Sequence, residues 1–307
     1  MSRTIIDGEI LRIIQHPGQG FFSCCTIHLQ RILDYYNEKQ KLPKQVDSSK
    51  QFMFYKTPQN WNEDIKHEYF ELYECGIRSV TEDIHAYSEG RHRSPEEYDK
   101  PPIIPDYNYS LPIKTTHLQQ EEQYSDYRWL NYTVLRPFIQ TYFSPSVQTK
   151  QLIEHILSKY QIDLSNTCVL FYRGNDKATE VQLPSYDQYV NNARALLKIN
   201  PELRFLVQSD ETEFLDTMKE AFPNNHVIFY DEIRHIPKCL TTVDKLLRYQ
   251  NSVMSKLFVS IVYVMSRCEY VICNSGNCSY WIALFRGHCH NLIQLLEPTV
   301  PVVPKTP

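Results

Sequence analysis

Thr167-Cys-Val-Leu-Phe-Tyr-Arg-Gly-Asn-Asp-Lys-Ala-Thr-Glu180 is the stretch on which the fold turns. A short apolar run of β-forming residues leads without a break into a charged turn. A strand apolar along its whole length has no solvent face, so it belongs in a parallel sheet covered on both sides. Its surroundings agree. Residues 186–199 have helical spacing (Tyr189, Ala193, Leu196, Leu197), 204–208 read as a second strand, and 213–222 as a second helix. Residues 226–230 read as a third strand, 240–266 as a long helical stretch with a possible break, and 269–273 as a fourth strand. A helix over 278–286 and a fifth strand over 291–295 follow. Strands alternating with helices give an α/β fold with a parallel sheet. Such sheets bind ligands at the carboxyl ends of their strands. The loops after Tyr172, Gln208, Tyr230 and Cys273 are therefore expected to line one site.

The N-terminal half is less regular. A strand is expected over 10–14, a turn over 16–20, an amphipathic helix over 24–36, a strand over 45–47 and a helix over 65–73. Residues 94–105 hold four prolines and read as a loop; 127–142 read as a helix broken near Pro137. Ser144-Pro-Ser146 marks a break, which places a domain boundary near residue 148. The expected division is 1–148, an α/β domain, and 149–307, a Rossmann-like domain. No internal repeat or low-complexity segment is visible.

Composition narrows the class. The 307 residues are 42% hydrophobic, which excludes disorder as the main state. The net charge of −4 lacks the basic excess of a nucleic-acid binder. With 8 Gly and no G-x-G-x-x-G, a glycine-rich dinucleotide loop is not expected. Nine Cys, mostly inside apolar runs, read as buried thiols of a reducing compartment. Cys268, Cys273, Cys278 and the run His288-Cys289-His290 contain no C-x-x-C pair, so no metal site is expected. The first residues lack the long apolar core of a signal peptide, so none is expected, and the run 257–265 is far short of the ~20 apolar residues of a membrane span. The expectation is a cytoplasmic protein without a transmembrane segment, in which the N-x-S/T triplets at Asn108, Asn131 and Asn277 carry little meaning.

Chemistry-bearing residues gather after the strands. Arg173, Asn175, Asp176, Lys177 and Glu180 place a guanidinium, carboxylates and an ammonium beyond a buried strand. Arginine is the best fork for phosphate oxygens, and a desolvated Lys–Glu pair can transfer protons. A solvated charged turn is the alternative. Ser209 and Asp210 follow the second strand and also fit helix capping. Asp231 follows the third. Ser275, Gly276 and Asn277 join a strand to a helix, where backbone N–H groups can hold a phosphate or simply form a capped turn. In the N-terminal half, Gly20, Phe22, Ser23 and His28 mark a turn and helix start, facing the same cleft if there are two domains. His28 is equally open to a place at the edge of the core.

Together these pieces resemble the α-1,6/O-fucosyltransferase-like superfamily of GT-B glycosyltransferases. Its H-x-R-R-x-D motif, extended in the α-1,6 enzymes by a Lys and a nearby T-E, is matched by Phe171-Tyr-Arg-Gly-Asn-Asp176, Lys177 and Thr179-Glu180. Phe171 and Gly174 stand where the family has His and the second Arg. The polar turn after 205–208, the turn 273–277 and the turn before the helix at 20–28 match in order. The match spans most of residues 18–290. Some stretches, such as 21–25 and 46–50, are similar to reading frames of large DNA viruses and amoeba-associated bacteria.

The resemblance implies a GT-B-like fold of two Rossmann-like domains facing a cleft, with the acceptor on the 1–148 side. It implies an inverting, metal-independent transfer of a sugar, by default fucose from GDP-fucose, to a glycan or glycoprotein. It assigns Arg173 to the diphosphate; Lys177, Glu180 and Asp176 to catalysis; Asn175, Ser209, Asp210, Asp231 and Ser275–Asn277 to the donor; and no cofactor. The absence of any D-x-D agrees with metal independence. Two other readings stay open: another sugar nucleotide, such as a xylose or rhamnose donor, or a binding protein without activity.

Overall fold

The computed structural model describes residues 3–15, 18–72 and 123–296. The proline-rich loop over 94–105, His16 and Pro17 of the expected turn, Tyr73 and Asn108 lie outside the described residues. Two compact units emerge: Met1–Glu122 with Asn131–Lys150, and Gln123–Leu130 with Gln151–Pro307.

The first unit holds a three-stranded sheet, order β1-β2-β3. β1 (Arg3–Asp7) and β2 (Ile10–Ile14) form a hairpin, and β3 (Gln45–Lys50) lies parallel to β2 with Leu11 opposite Val46. The sheet is mixed: one parallel crossover, from β2 through helix Phe21–Lys39 to β3, stands beside the antiparallel edge strand β1. Helix Phe21–Lys39 buries Cys25, Leu29, Ile32 and Leu33, and ends at Gln40, whose left-handed backbone sends its N–H to the Tyr36 carbonyl. A helix expected over 65–73 is a single 3-10 turn, Ile65–Glu68, capped by the Asp64 carboxylate. Pro137 does not break its helix. The segment opens with a 3-10 turn, Tyr127–Trp129, which belongs to the second unit. After the Asn131 side chain accepts from the Val134 N–H, Tyr132–Tyr142 runs through the proline. A proline inside a helix costs roughly 3 kcal/mol. Burial of Leu135, Phe138 and Tyr142 offsets it, at about 1.5–3 kcal/mol per large apolar side chain.

The second unit is built on a five-stranded sheet, order β6-β5-β4-β7-β8, with every pair parallel. β4 (Thr167–Tyr172) is central and wholly buried; β5 (Arg204–Ser209) and β7 (Tyr270–Asn274) flank it. On one face Leu170, Tyr172, Phe205 and Val207 pack with Tyr189 and Ala193 of helix Tyr186–Ile199 and Phe214 and Met218 of helix Thr212–Ala221. The alternate residues Val169, Phe171, Leu206, Val271 and Cys273 are just as buried, so both faces are covered. β6 is only His226–Val227, shorter than expected. Ile228 and Phe229 are buried but leave the ladder, and the chain returns to the end of β5 at Ile236, whose N–H reaches the Asp210 carbonyl at 3.1 Å. The long helical stretch is broken into Val243–Leu246, a 3-10 turn and Asn251–Arg267. Helix Asn277–Arg286 and the edge strand β8 (Leu292–Leu295) complete the unit.

Helix Val147–Lys159 was not expected from the sequence. Among the described residues no disulfide joins the cysteines, no group of His, Cys, Asp or Glu is placed to hold a metal, and no helix is long and apolar enough to cross a membrane.

Candidate active site

The parallel register brings the carboxyl ends of β4, β5 and β7 side by side: Tyr172 lies opposite Ser209, and Phe171 opposite Cys273. The strand ends are stitched together by Asn274. Its Oδ1 accepts from the Arg173 N–H at 2.8 Å and its Nδ2 donates to the Arg173 carbonyl at 2.9 Å. Tyr189 Oη donates to the Phe171 carbonyl from below. Arg173 thus leaves the sheet on a fixed backbone.

Its guanidinium is held by two carboxylates. Nη1 binds Asp210 and also reaches the Gly174 carbonyl at 3.3 Å; Nη2 meets Asp176 Oδ1 at 2.5 Å. Asp210 also accepts from the Gly174 N–H at 2.9 Å. Among the described residues no acceptor meets the Arg173 Nε–H, and the side chain is 18% exposed. That leaves one edge of the fork for a ligand.

Lys177 and Glu180 face one another across the 3-10 turn Asn175–Thr179, with Nζ 2.6 Å from Glu180 Oε2. Lys177 is buried, and its ammonium also donates to Gln123 Oε1 at 3.1 Å and Tyr124 Oη at 3.2 Å. Tyr124 Oη donates to Glu180 Oε2. Burial alone would raise the Glu180 carboxyl. The Lys177 charge and hydrogen bonds from Lys177 and Tyr124 outweigh it and hold the group below its ordinary 4.5. Burial, then the bond to Glu180, pushes the Tyr124 phenol well above its usual range.

The turn after β7 closes the cluster. The Asn277 N–H donates to Gln123 Oε1 at 2.9 Å, and the Gly276 N–H to Tyr127 Oη at 3.3 Å. Ser275 is buried, its Oγ accepting from Gln294 Nε2 at 2.9 Å. A Cβ at Gly276 would come into contact with the stems of Lys177 and Arg173. Arg173, Asp176, Lys177, Glu180, Asp210 and the 275–277 turn are therefore one constellation.

Other expected site residues sit elsewhere. Asn175, in the left-handed region at φ 48°, is buried and ties loops together: its N–H reaches Glu211 Oε2, its Nδ2 the Asp210 carbonyl, and its Oδ1 accepts from the Cys239 N–H. Ser209 is buried and accepts from the Glu211 N–H. The polar atoms of both are engaged within the protein. Asp231 is an exposed partner of Lys159, because β6 ends four residues earlier and its carboxyl end is not there. In the N-terminal unit Gly20 is the helix N-cap and Ser23 Oγ donates to Gln19 Oε1. Phe22 and His28 are core residues, and the cleft positions expected of them do not fit this burial. His28 Nδ1 pairs with Gln51 Oε1 at 2.8 Å. Burial first, and the Lys66 charge next, push it down to about 3.

Sequence reasoning passed over Gln123, Tyr124, Tyr127, Asn274, Glu211 and Gln294. Only Asn274 and Glu211 carried a signal, as polar residues ending apolar strands.

No protein-family model matches the chain, and no curated protein does. Among solved structures it is similar to fucosyltransferase NodZ from Bradyrhizobium, at 12% identity over 89% of this chain and 90% of that one, with a TM-score of 0.45. It is also similar to POFUT1 in its apo form, at 13% identity, 52% and 49% coverage and a TM-score of 0.35. A mutant of FUT1 from Arabidopsis thaliana in complex with GDP is similar at 11% identity, 54% and 36% coverage and a TM-score of 0.33. The chain spans about half the length of POFUT1 and about nine-tenths of NodZ.

Proposed function

We propose that the protein is an inverting glycosyltransferase that takes a nucleoside-diphosphate sugar and passes the sugar to a hydroxyl of a glycan or glycoprotein. The observation that carries this reading is the Lys177–Glu180 ion pair on the same loop as Arg173, at the carboxyl end of the central strand. One loop thus supplies a cation for a leaving diphosphate and a carboxylate for an incoming hydroxyl.

The free edge of the Arg173 fork binds diphosphate oxygens, and its charge counts most as the leaving group gains charge in the transition state. Asp210 and Asp176 hold the fork in place. Glu180, kept ionised, takes the acceptor proton. No metal enters: the charge of the diphosphate is met by Arg173, Lys177 and the amino end of helix Asn277–Arg286. The motif resemblance makes GDP-fucose the first donor to try, with xylose and rhamnose nucleotides next. The N-terminal unit, on this reading, takes the acceptor.

One observation favours a second reading. The Arg173 guanidinium already has two carboxylate partners, as in a protein that keeps the scaffold but not the chemistry. A panel of nucleotides and nucleotide sugars, read by thermal shift and by release of nucleoside diphosphate, separates the two. A ligand at 100 times its Kd stabilises by about 2.7 kcal/mol. Binding with turnover, lost in both Arg173→Ala and Arg173→Lys, supports transfer; binding without turnover supports the second reading; no binding by any member ends both.

A further inference from the structure

An ammonium has three hydrogens and accepts none, so when buried it needs three oxygens around it. Lys177 finds only one of them, Glu180, on its own loop. The other two, Gln123 and Tyr124, come from a segment more than fifty residues earlier in the chain. Tyr124 does more than accept. Its own hydrogen goes to Glu180, to the same Oε2 that Lys177 binds. Both donors therefore converge on one carboxylate oxygen. Among the described residues no donor reaches Glu180 Oε1, and the side chain is 34% exposed. The carboxylate is saturated on one side and open on the other.

We propose that Tyr124 is a positioning residue of the transfer reaction: with Lys177 it clamps Oε2 of Glu180, and so presents Oε1 as the basic oxygen to the acceptor hydroxyl. This rests on the glycosyltransferase reading. In the step itself the acceptor O–H proton passes to Glu180 Oε1 and the acceptor oxygen bonds to the anomeric carbon. The bond from that carbon to the diphosphate oxygen breaks, and its electron pair leaves with the nucleoside diphosphate. Tyr124 keeps its proton throughout. The charged and titratable groups that act on the Glu180–Tyr124 pair are Lys177, Arg173 and Asp176.

Tyr124→Phe removes one hydroxyl and keeps the ring beside the Lys177 ammonium. The assay is release of nucleoside diphosphate from GDP-fucose, or whichever panel donor the wild type turns over, with water as acceptor, as a function of pH. Loss of a donor to the charged form raises a carboxyl pKa. The acid limb of kcat/KM should therefore move to higher pH by about one unit in Tyr124→Phe. The donor KM should be unchanged. In a Glu180→Gln background the same substitution should change kcat by less than about twofold, because a group that acts through Glu180 has nothing left to act on. An acid limb that stays in place, or an equal loss of kcat in both backgrounds, overturns the inference and leaves the glycosyltransferase reading standing. A wild type that turns over no sugar nucleotide overturns that reading, and this inference with it.

Discussion

Gly174→Ala puts the close approach of two loops to the test. The φ of Gly174, −103°, lies outside the left-handed region, so contact rather than backbone freedom demands glycine here. A Cβ would overlap the Glu211 carboxylate and stand 2.7 Å from Tyr172 Cε1. Neither neighbour is free to move. Glu211 is fully buried, accepting from Tyr186 Oη and from the Asn175 N–H at 3.0 Å, and the Tyr172 ring stacks on Phe214 at 4.8 Å. Overpacking a tight site costs about 1–3 kcal/mol. Forcing a buried carboxylate out of one hydrogen bond costs about 1.5–3 kcal/mol more. The expected loss is about 3–5 kcal/mol, a large share of the ~5–15 kcal/mol that keeps a protein folded. Urea unfolding should show it as a lower midpoint at unchanged slope. In a Glu211→Ala background, where only the Tyr172 contact remains, Gly174→Ala should cost about 1–2 kcal/mol. A single variant within about 0.5 kcal/mol of wild type, or an equal penalty in both backgrounds, refutes the argument.

Three further outcomes are expected. Glu180→Gln should lower kcat by about 10²–10⁴-fold while the nucleotide-induced thermal shift stays as in wild type, since the amide keeps the shape but takes no proton; full turnover in Glu180→Gln with loss in Asp176→Asn would move the base to Asp176. Turnover should survive EDTA; loss on chelation, restored by Mn²⁺, would contradict the charge balance assigned to Arg173 and Lys177. His28 is neutral when folded and ordinary, near 6.5, when unfolded, so the unfolded chain takes up a proton that the folded chain refuses. Stability should therefore fall as pH drops below 6.5, levelling off near 3, with a limiting slope of about 1.4 kcal/mol per pH unit. His28→Phe should flatten melting curves over that window; an unaltered pH profile would mean that His28 is charged in the folded state.

The second unit was legible where the pattern was strong and continuous. β4 and helix Tyr186–Ile199 have the limits read from the sequence, because an unbroken apolar run, a turn and a helical repeat follow one another. The same rule misled at β6: Ile228 and Phe229 are apolar because they are buried, and burial does not require pairing. Helix Val147–Lys159 escaped because its only wholly buried apolar residues are Ile153 and Ile156, a thin stripe beside exposed polar residues. Pro137 signals a break only if its neighbours are not anchored, and they are. At the site, Arg173, Lys177 and Glu180 were readable because they share one loop. Gln123 and Tyr124 were not, since only the folded chain places them beside Lys177, and no local pattern marks a residue whose partners lie that far along the sequence. Gly174 could be noticed as a departure from the motif, but its reason, Glu211, appears only when β4 and β5 are set in register.

The eight residues Gln123–Leu130 have a consequence for dissecting the chain. They pack with the second unit, although Asn131–Lys150, which follows them directly, packs with the first. A fragment beginning at Gln151 would keep the whole five-stranded sheet and every residue of the β4 loop. Yet it would leave the Lys177 ammonium with one acceptor in place of three, and would take Tyr127 Oη from the Gly276 N–H and Gln123 Oε1 from the Asn277 N–H. It would also strip the Gln294 carboxamide of the Tyr127 N–H and the Ser125 carbonyl. The module that carries the site is thus discontinuous in sequence, and cutting it out as one piece of chain would preserve its scaffold while dismantling the surroundings of its charges.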